Sequence, residues 1–347
     1  MTLAEASLIE WSPSGEQYLT SKKDRSGIYQ IYVGGRAGGE PACISCAERP
    51  NGPSIKRHKM QPHWHPSGEW IILAAEREKY NKPLLATRGM IEGWLQSGIW
   101  VNMYSTTPDG RVWHQLSDFG GKQRGDGFTG VAMTPDGKQG VWAQIVDGNF
   151  FTNRFGLWEL ILADFREDAR GVPSFTNLRN ITPKGARWVE PGTFSPDGRS
   201  LAINADVGMS NAEGQDQYIL DISNGRLLNL TNSPDVWDEH GVFSPDGEKI
   251  FFMSSLPFRG ERLSHTTLFL KTEFMLMDKD GRRLQQVTHF NTPGYPESNK
   301  PGQRSVAAVG VWRQDGRSIS TLNLSKFPEY EGWTITFSGP CGNRSPG

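Results

Sequence analysis

The sequence has no long apolar run, and this absence excludes a membrane-spanning helix. No stretch approaches the roughly 18 consecutive apolar residues that such a helix needs. The first seven residues include acidic and polar groups where a secretory signal would be basic and then apolar, so we expect no signal peptide in the chain as given. These features predict a soluble protein and leave its compartment open.

An excess of charge of one sign is also missing. The 37 basic residues nearly balance the 38 acidic ones, and the formal net charge is −1. The sequence has no long cluster of lysine and arginine of the kind that binds the phosphate backbone of a nucleic acid. The sequence therefore argues against nucleic acid as a partner.

Cysteine is scarce, because only Cys43, Cys46 and Cys341 occur, which is too few for a disulfide scaffold. Cys43 and Cys46 form a CxxC pair, whose Cα atoms would lie about 10 Å apart in one extended strand. A disulfide needs Cα atoms within about 7 Å, so a bridge here requires a turn. Three interpretations stay open: unpaired cysteines at a strand end, a local disulfide, and a metal or redox site.

Turn-forming and aromatic residues are abundant instead. The 40 glycines and 22 prolines make up about 18% of the 347 residues, against roughly 12% in average proteins. The 12 tryptophans suit pleated, half-buried surfaces. This composition favours many short strands that are joined by tight turns.

A short phrase recurs six times, and it consists of an aromatic or apolar residue followed by Ser-Pro-Asp-Gly or a near variant. The copies lie at residues 11–15, 64–68, 133–137, 194–198, 243–247 and 312–316. Proline presets the first dihedral angle of a turn, and Asp-Gly supplies the hydrogen bond and the positive φ of a tight hairpin. Each copy therefore predicts a hairpin between a short strand and a longer apolar one.

Two more strands follow in most repeats, as at residues 217–221 and 228–232. Four antiparallel strands per repeat are typical of a propeller blade. We therefore predict an all-β fold, a six-bladed β-propeller with about 24 strands, as a single domain over residues 1–347. Almost no helix is expected, and the insertion at residues 84–96 is the place most favoured for it.

The last repeat is short, because only a tail rich in glycine and proline follows the strand at residues 333–337. We expect residues 2–4, at the start of the chain, to supply the outer strand of the last blade. Such an exchange would close the propeller and remove an unpaired strand edge.

The phrase aromatic-Ser-Pro-Asp-Gly, together with the Leu-Thr-Asn ending of the fourth strand, resembles the repeat of TolB-like propellers, also called PD40 or WD40-like repeats. The resemblance covers residues 8–337. It implies binding of a protein, a peptide or a small polar ligand such as a saccharide at the channel mouth, and it favours a periplasmic or secreted protein. Because the fold hosts both binding modules and enzymes, the resemblance leaves catalysis open. A peptidase is disfavoured because no Gly-x-Ser-x-Gly nucleophile motif occurs.

The predicted site lies on the face opposite the hairpin turns, where the long insertions gather. Counting back from the proline position aligns the segments that enter the first strands of the blades. Glu190 and Glu239 share one aligned position, and Gln61 and His240 share the next. The predicted ligand-binding residues are Glu190, Glu239, His240, Gln61, Arg77 and His58.

Three interpretations of Glu190, Glu239 and His240 stay open. They could hydrogen-bond the backbone of a neighbouring blade, contact a polar ligand, or bind a divalent metal ion, for which carboxylates and imidazole are ordinary ligands. The alternative function is a metal-dependent polysaccharide lyase that resembles oligogalacturonate lyases, whose propeller has a histidine-rich manganese site. The histidines here do not gather in that pattern, although Arg77 could neutralise a carboxylate substrate. We favour binding over catalysis.

Overall fold

The computed structural model describes most of the chain. The described residues are 2–5, 9–80, 86–121, 125–147, 155–209, 213–261, 264–266, 268–300, 302–326 and 329–337. Their 24 strands form six sheets of four antiparallel strands each. These sheets are the blades of a six-bladed β-propeller, so the predicted fold class is confirmed. No helix in these ranges is both long enough and apolar enough to cross a membrane.

Two compact units divide the chain: a first unit, Ile9–Thr182, and a second unit, Met1–Leu8 together with Pro183–Gly347. The prediction that the whole chain behaves as a single domain stays a prediction.

The first unit contains three blades, whose strands follow one another in chain order. They are β2 (Glu10–Trp11), β3 (Gln17–Lys23), β4 (Tyr29–Gly35) and β5 (Ala42–Cys43); β6 (Lys59–Trp64), β7 (Ile71–Glu76), β8 (Val101–Thr106) and β9 (Trp113–Gln115); and β10 (Gly127–Met133), β11 (Gln139–Asp147), β12 (Leu157–Glu167) and β13 (Pro173–Asn180).

The second unit contains the other three blades. They are β14 (Val189–Phe194), β15 (Ser200–Ala205), β16 (Asp216–Asp221) and β17 (Leu227–Asn229); β18 (Asp238–Phe243), β19 (Lys249–Ser254), β20 (Glu273–Asp278) and β21 (Gln285–Gln286); and β22 (Val306–Trp312), β23 (Ser318–Lys326), β24 (Glu329–Thr336) and β1 (Thr2–Glu5).

The six recurring phrases form the turns between the first and second strands of the blades. In each, the glycine N–H donates to the backbone carbonyl three residues earlier, at 2.8 to 3.0 Å. The six glycines have φ between 64° and 74°, the left-handed region that the phrase predicted. In the turn of β14 and β15, the Ser195 hydroxyl donates to the Asp197 carboxylate at 2.6 Å. The residues of the phrase thus fix the position of the turn between the first and second strands of each blade.

The second strand of a blade is buried on both faces, as β7 illustrates. Ile71, Leu73 and Ala75 pack into one apolar cluster together with Leu19. The alternate residues Ile72 and Ala74 pack into another cluster. Because successive side chains of a strand point to opposite faces, this strand joins the two apolar layers on either side of its sheet.

The predicted helix is confirmed. Helix α1 (Arg88–Gln96) begins after Thr87, whose side chain accepts a hydrogen bond from the Met90 N–H, and it buries Leu95. A short 3-10 helix occupies Leu256–Phe258.

The strand exchange in the last blade is also confirmed. β1 pairs antiparallel with β24, and the register aligns Thr2 with Thr336 and Glu5 with Trp333. The beginning of the chain thus provides the fourth strand of the last blade, whose other three strands are β22, β23 and β24.

The CxxC pair forms a disulfide between Cys43 and Cys46. β5 ends at Cys43, and the chain then bends, which brings the two Cα atoms to 5.7 Å. Of the three interpretations of this motif, the structure selects the local disulfide.

Deleting residues 1–6 should lower the melting temperature by several degrees. The deletion removes the strand that pairs with β24 and leaves an unpaired edge. Thermal unfolding followed by circular dichroism would measure the change. An unchanged melting curve would show that β1 contributes nothing to the last blade.

Two turn glycines of the second unit should differ in how well they tolerate alanine. A Cβ at Gly316 would meet only Pro245, at 4.0 Å, so Gly316→Ala should cost the left-handed backbone penalty of about 1–2 kcal/mol. A Cβ at Gly247 would lie 2.9 Å from the Pro196 ring of the preceding turn, so Gly247→Ala should cost clearly more. Urea unfolding of both variants measures the difference in the free energy of unfolding, and equal losses would contradict the packing of successive turns.

Candidate functional site

The first strands of five blades are interrupted by a bulge at a similar position. The pairing of β14 with β15 shifts between Pro191 and Phe194, and that of β18 with β19 shifts between Glu239 and Val242. His240 lies within its bulge and has a φ of 57°. Because a bulge breaks the regular alternation of side chains, the neighbours Glu239 and His240 can both face Glu190.

Glu190, Glu239 and His240 form one cluster in the second unit, called here the acid–histidine cluster. The His240 Nε2 lies 3.4 Å from the Glu190 Oε2, and its Nδ1 lies 3.9 Å from the Glu239 Oε2. One potential ligand atom from each residue lies within 4.8 Å of the other two. The two carboxylates are only 10% exposed, whereas the imidazole is 26% exposed and can be reached from solvent.

A second layer of polar groups holds the cluster in place. The Glu239 carboxylate accepts hydrogen bonds from the Trp237 indole at 2.9 Å and from the Gln215 amide at 3.3 Å. The Asn204 amide donates to the Gln215 side-chain oxygen and accepts from the His240 backbone N–H. Sequence reasoning missed Asn204, on β15, and Gln215, just before β16, because isolated amides carry no recognisable pattern.

The imidazole of His240 is oriented by a backbone carbonyl. Its Nδ1 lies 2.9 Å from the Ala308 carbonyl oxygen. A carbonyl can only accept, so we assign a proton to Nδ1, and Nε2 is the nitrogen that faces Glu190. The hydrogen-bonding interpretation of the cluster is therefore correct for one ring nitrogen of His240.

Burial and charge shift the pKa values of this cluster. Burial alone would lower the pKa of His240, but the charge of Glu239 and the hydrogen bond and charge of Glu190 outweigh it and raise this pKa to about 9. Burial raises the pKa of Glu239, although the charge of His240 opposes this effect. At neutral pH, the imidazolium form of His240 is thus the favoured partner of the carboxylates.

The other three predicted site residues lie in the first unit, and two of them serve the local structure. The His58 Nδ1 accepts from the Tyr29 backbone N–H at 3.2 Å, and burial lowers the pKa of His58. The Gln61 amide donates to the Gln96 carbonyl oxygen at 2.6 Å, which links β6 to the end of α1. Gln61 has a φ of 50°, so it occupies the same bulge position as His240.

Arg77 lines a cleft of about 610 Å³ in the first unit. The cleft is also lined by Arg57, Glu78, Lys79, Tyr80, Trp100, Gly120 and Asp126. Of the six predicted ligand-binding residues, only Arg77 is among these lining residues. The assembly of all six residues into one central pocket stays a prediction.

Comparisons with known proteins define the fold. No protein-family model and no curated protein sequence matches the chain. Among solved structures, a putative TolB from Agrobacterium tumefaciens is 18% identical with a TM-score of 0.52, and the match covers 81% of this chain and 80% of that one.

Two enzymes share the fold at lower identity. An oligogalacturonate lyase from Vibrio parahaemolyticus is 9% identical with a TM-score of 0.51, over 95% of this chain and 80% of the lyase. A puromycin-hydrolyzing peptidase of Mycobacterium tuberculosis is 13% identical with a TM-score of 0.53, over 94% of this chain but 45% of the peptidase. These similarities confirm the TolB-like propeller fold that the repeats predicted, and at such identities they carry no function.

Proposed function

We propose that this chain is a binding propeller that holds a polar, positively charged group of a protein, a peptide or a small ligand at the acid–histidine cluster. One observation carries the proposal: two nearly buried carboxylates converge on a single accessible imidazole, with potential ligand atoms within 4.8 Å. Buried carboxylates beside an imidazole with a shifted pKa are where ligand contacts concentrate in proteins.

The charges of the cluster favour a cationic group. When both acids are ionised, Glu190 and Glu239 carry two negative charges, and the His240 imidazolium balances one of them. A buried charge is stable only when it is paired and hydrogen-bonded. An ammonium or guanidinium group of a ligand would complete the pairing from the side on which the imidazole is exposed.

The double variant Glu239→Gln with His240→Asn should abolish the binding of such a ligand and leave the fold intact. Gln can still accept from the Trp237 indole, and Asn tolerates the left-handed backbone of residue 240. We expect saturation-transfer NMR to detect agmatine, a small guanidinium and ammonium compound, with the wild type only.

Glu261→Gln is the matched control, because Glu261 is a half-exposed carboxylate of the same unit that pairs with Lys271. It should bind agmatine like the wild type. Equal binding by the double variant, or its unfolding, would assign the cluster a structural role.

A second candidate function is metal-dependent, and the orientation of His240 favours it. Metal-binding histidines commonly donate the second ring N–H to a backbone carbonyl, as the His240 Nδ1 does to Ala308. Nε2 would then bind the ion in place of its proton, together with Glu190 and Glu239, and these three donors suit a divalent cation such as Zn²⁺ or Mn²⁺. This candidate includes the polysaccharide lyase that the repeat resemblance suggested.

Elemental analysis of purified protein tests this candidate. We expect about one divalent ion per chain, lost in the Glu239→Gln, His240→Asn double variant, if three protein ligands hold the ion. Metal-loaded wild type would then be assayed for unsaturated products from uronic-acid polymers. Protein that binds neither Zn²⁺ nor Mn²⁺ in a titration would exclude the metal-dependent function and leave the binding proposal intact.

The Cys43–Cys46 disulfide supports the periplasmic or secreted location that the resemblance favours, because disulfides persist mainly in oxidising compartments.

A further inference from the structure

The cleft of the first unit contains an arginine with an unused donor. Arg77 follows β7, and its side chain is only 9% exposed. The Arg77 Nη1 donates to the Phe119 carbonyl oxygen at 2.7 Å, and Nη2 donates to Asp126 at 3.1 Å. The Arg77 Nε is buried and makes no hydrogen bond within the described part of the chain. A buried donor without an acceptor is unfavourable, so this N–H is available to donate to an oxygen atom of a bound ligand.

The backbone beside Arg77 is shaped to hold the guanidinium. Gly120 has a φ of 70°, and a Cβ at this position would collide with the Arg77 Nη1. The missing side chain lets the guanidinium lie directly against the segment that includes Phe119 and Gly120. The position of Arg77 therefore depends on a glycine from a loop more than 40 residues away in the sequence.

Two stacked rings form an aromatic wall of the cleft. The rings of Tyr80 and Trp100 are nearly parallel, with centroids 4.8 Å apart and planes 18° apart, and Trp94 packs edge-on against Trp100. Trp100 has a φ of 59°, which is uncommon for a bulky residue. Two backbone hydrogen bonds hold it: its N–H donates to the Asp126 carbonyl, and its carbonyl accepts from the Arg77 N–H. Strained residues of this kind concentrate at ligand sites.

Three basic and two acidic residues line the cleft, and the buried Glu76 that pairs with Arg57 offsets the third positive charge. Arg57, Arg77 and Lys79 face Glu78 and Asp126. Arg57 is already engaged, because it pairs with Glu78 at 3.2 Å and with the buried Glu76 at 3.1 Å. Among the described residues Lys79 forms no ion pair, so Lys79 and the Arg77 Nε are the donors that remain for a ligand.

We propose that this cleft is a second binding site, which takes a small monocarboxylate whose flat, apolar part lies against the Tyr80–Trp100 wall. One carboxylate oxygen accepts from the Arg77 Nε–H, and the charge of Lys79 adds attraction at the rim. The single unpaired ammonium of Lys79 suits a monoanion better than a phosphate dianion. All the residues involved belong to the first unit, so the site is independent of the acid–histidine cluster.

Benzoate tests the proposal, with benzamide as its uncharged counterpart and inorganic phosphate as the competing anion. Saturation-transfer NMR should detect benzoate on the wild type, benzamide should bind much more weakly, and phosphate should fail to displace benzoate at equal concentration. Arg77→Gln should weaken benzoate binding about tenfold or more, since it removes a charge-assisted hydrogen bond. Lys79→Met should weaken it severalfold.

Two further variants separate the site from effects on folding. Gly120→Ala keeps Arg77 but displaces its guanidinium, so it too should weaken benzoate binding. Lys138→Met is the matched control, because Lys138 is an exposed lysine of a hairpin turn in the same unit, and it should change nothing. If Arg77→Gln does not fold, Lys79→Met and Gly120→Ala still decide the result.

Three results would overturn the proposal: benzoate and benzamide bind equally, phosphate displaces benzoate, or the cleft variants bind benzoate like Lys138→Met. The Glu239→Gln, His240→Asn double variant should bind benzoate normally. Failure at the acid–histidine cluster and failure at the cleft are therefore distinguishable.

Discussion

The fold depends on the burial of both faces of the inner strands. In β19, Ile250 and Phe252 pack into a cluster with Phe243, whereas Phe251 contacts Trp312 on the opposite face. Burial of a large side chain of this kind contributes about 1.5–3 kcal/mol to stability. An isolated sheet would leave such side chains exposed to water on both of its faces. A blade is therefore stable only between neighbours, and the last blade takes its fourth strand from the beginning of the chain.

The same constraint determines where polar chemistry can occur. Within the apolar layers, a charged group would lose its hydration without compensation. At the start of the first strands, the bulges break the pleat and turn polar side chains toward one another. Glu239 is buried there because Trp237, Gln215 and His240 surround its carboxylate with donors. The acid–histidine cluster can thus form because the bulges of β14 and β18 interrupt the regular strands.

The two proposed sites differ in how their charges are satisfied. In the acid–histidine cluster, the imidazole lies between two carboxylates, and the excess charge is negative when both acids are ionised. In the cleft, Arg77 donates to the Phe119 carbonyl oxygen and pairs with Asp126, whereas its Nε–H makes no hydrogen bond within the described residues. The two proposals therefore assign a cationic and an anionic ligand to separate positions.

The sequence by itself determined the turns, the number of blades and the alignment of the first strands. Proline, aspartate and glycine act on their own backbone, so the six phrases and the shared position of Glu190 and Glu239 could be recognised without a structure. The disulfide between Cys43 and Cys46 could not be chosen, because it depends on whether the chain bends after β5. The roles of His58, Gln61 and Arg77 also depended on the tertiary structure. Their partners, such as Tyr29, Gln96 and Asp126, lie 29 to 49 residues away, and only the packing of strands and loops brings such side chains into contact.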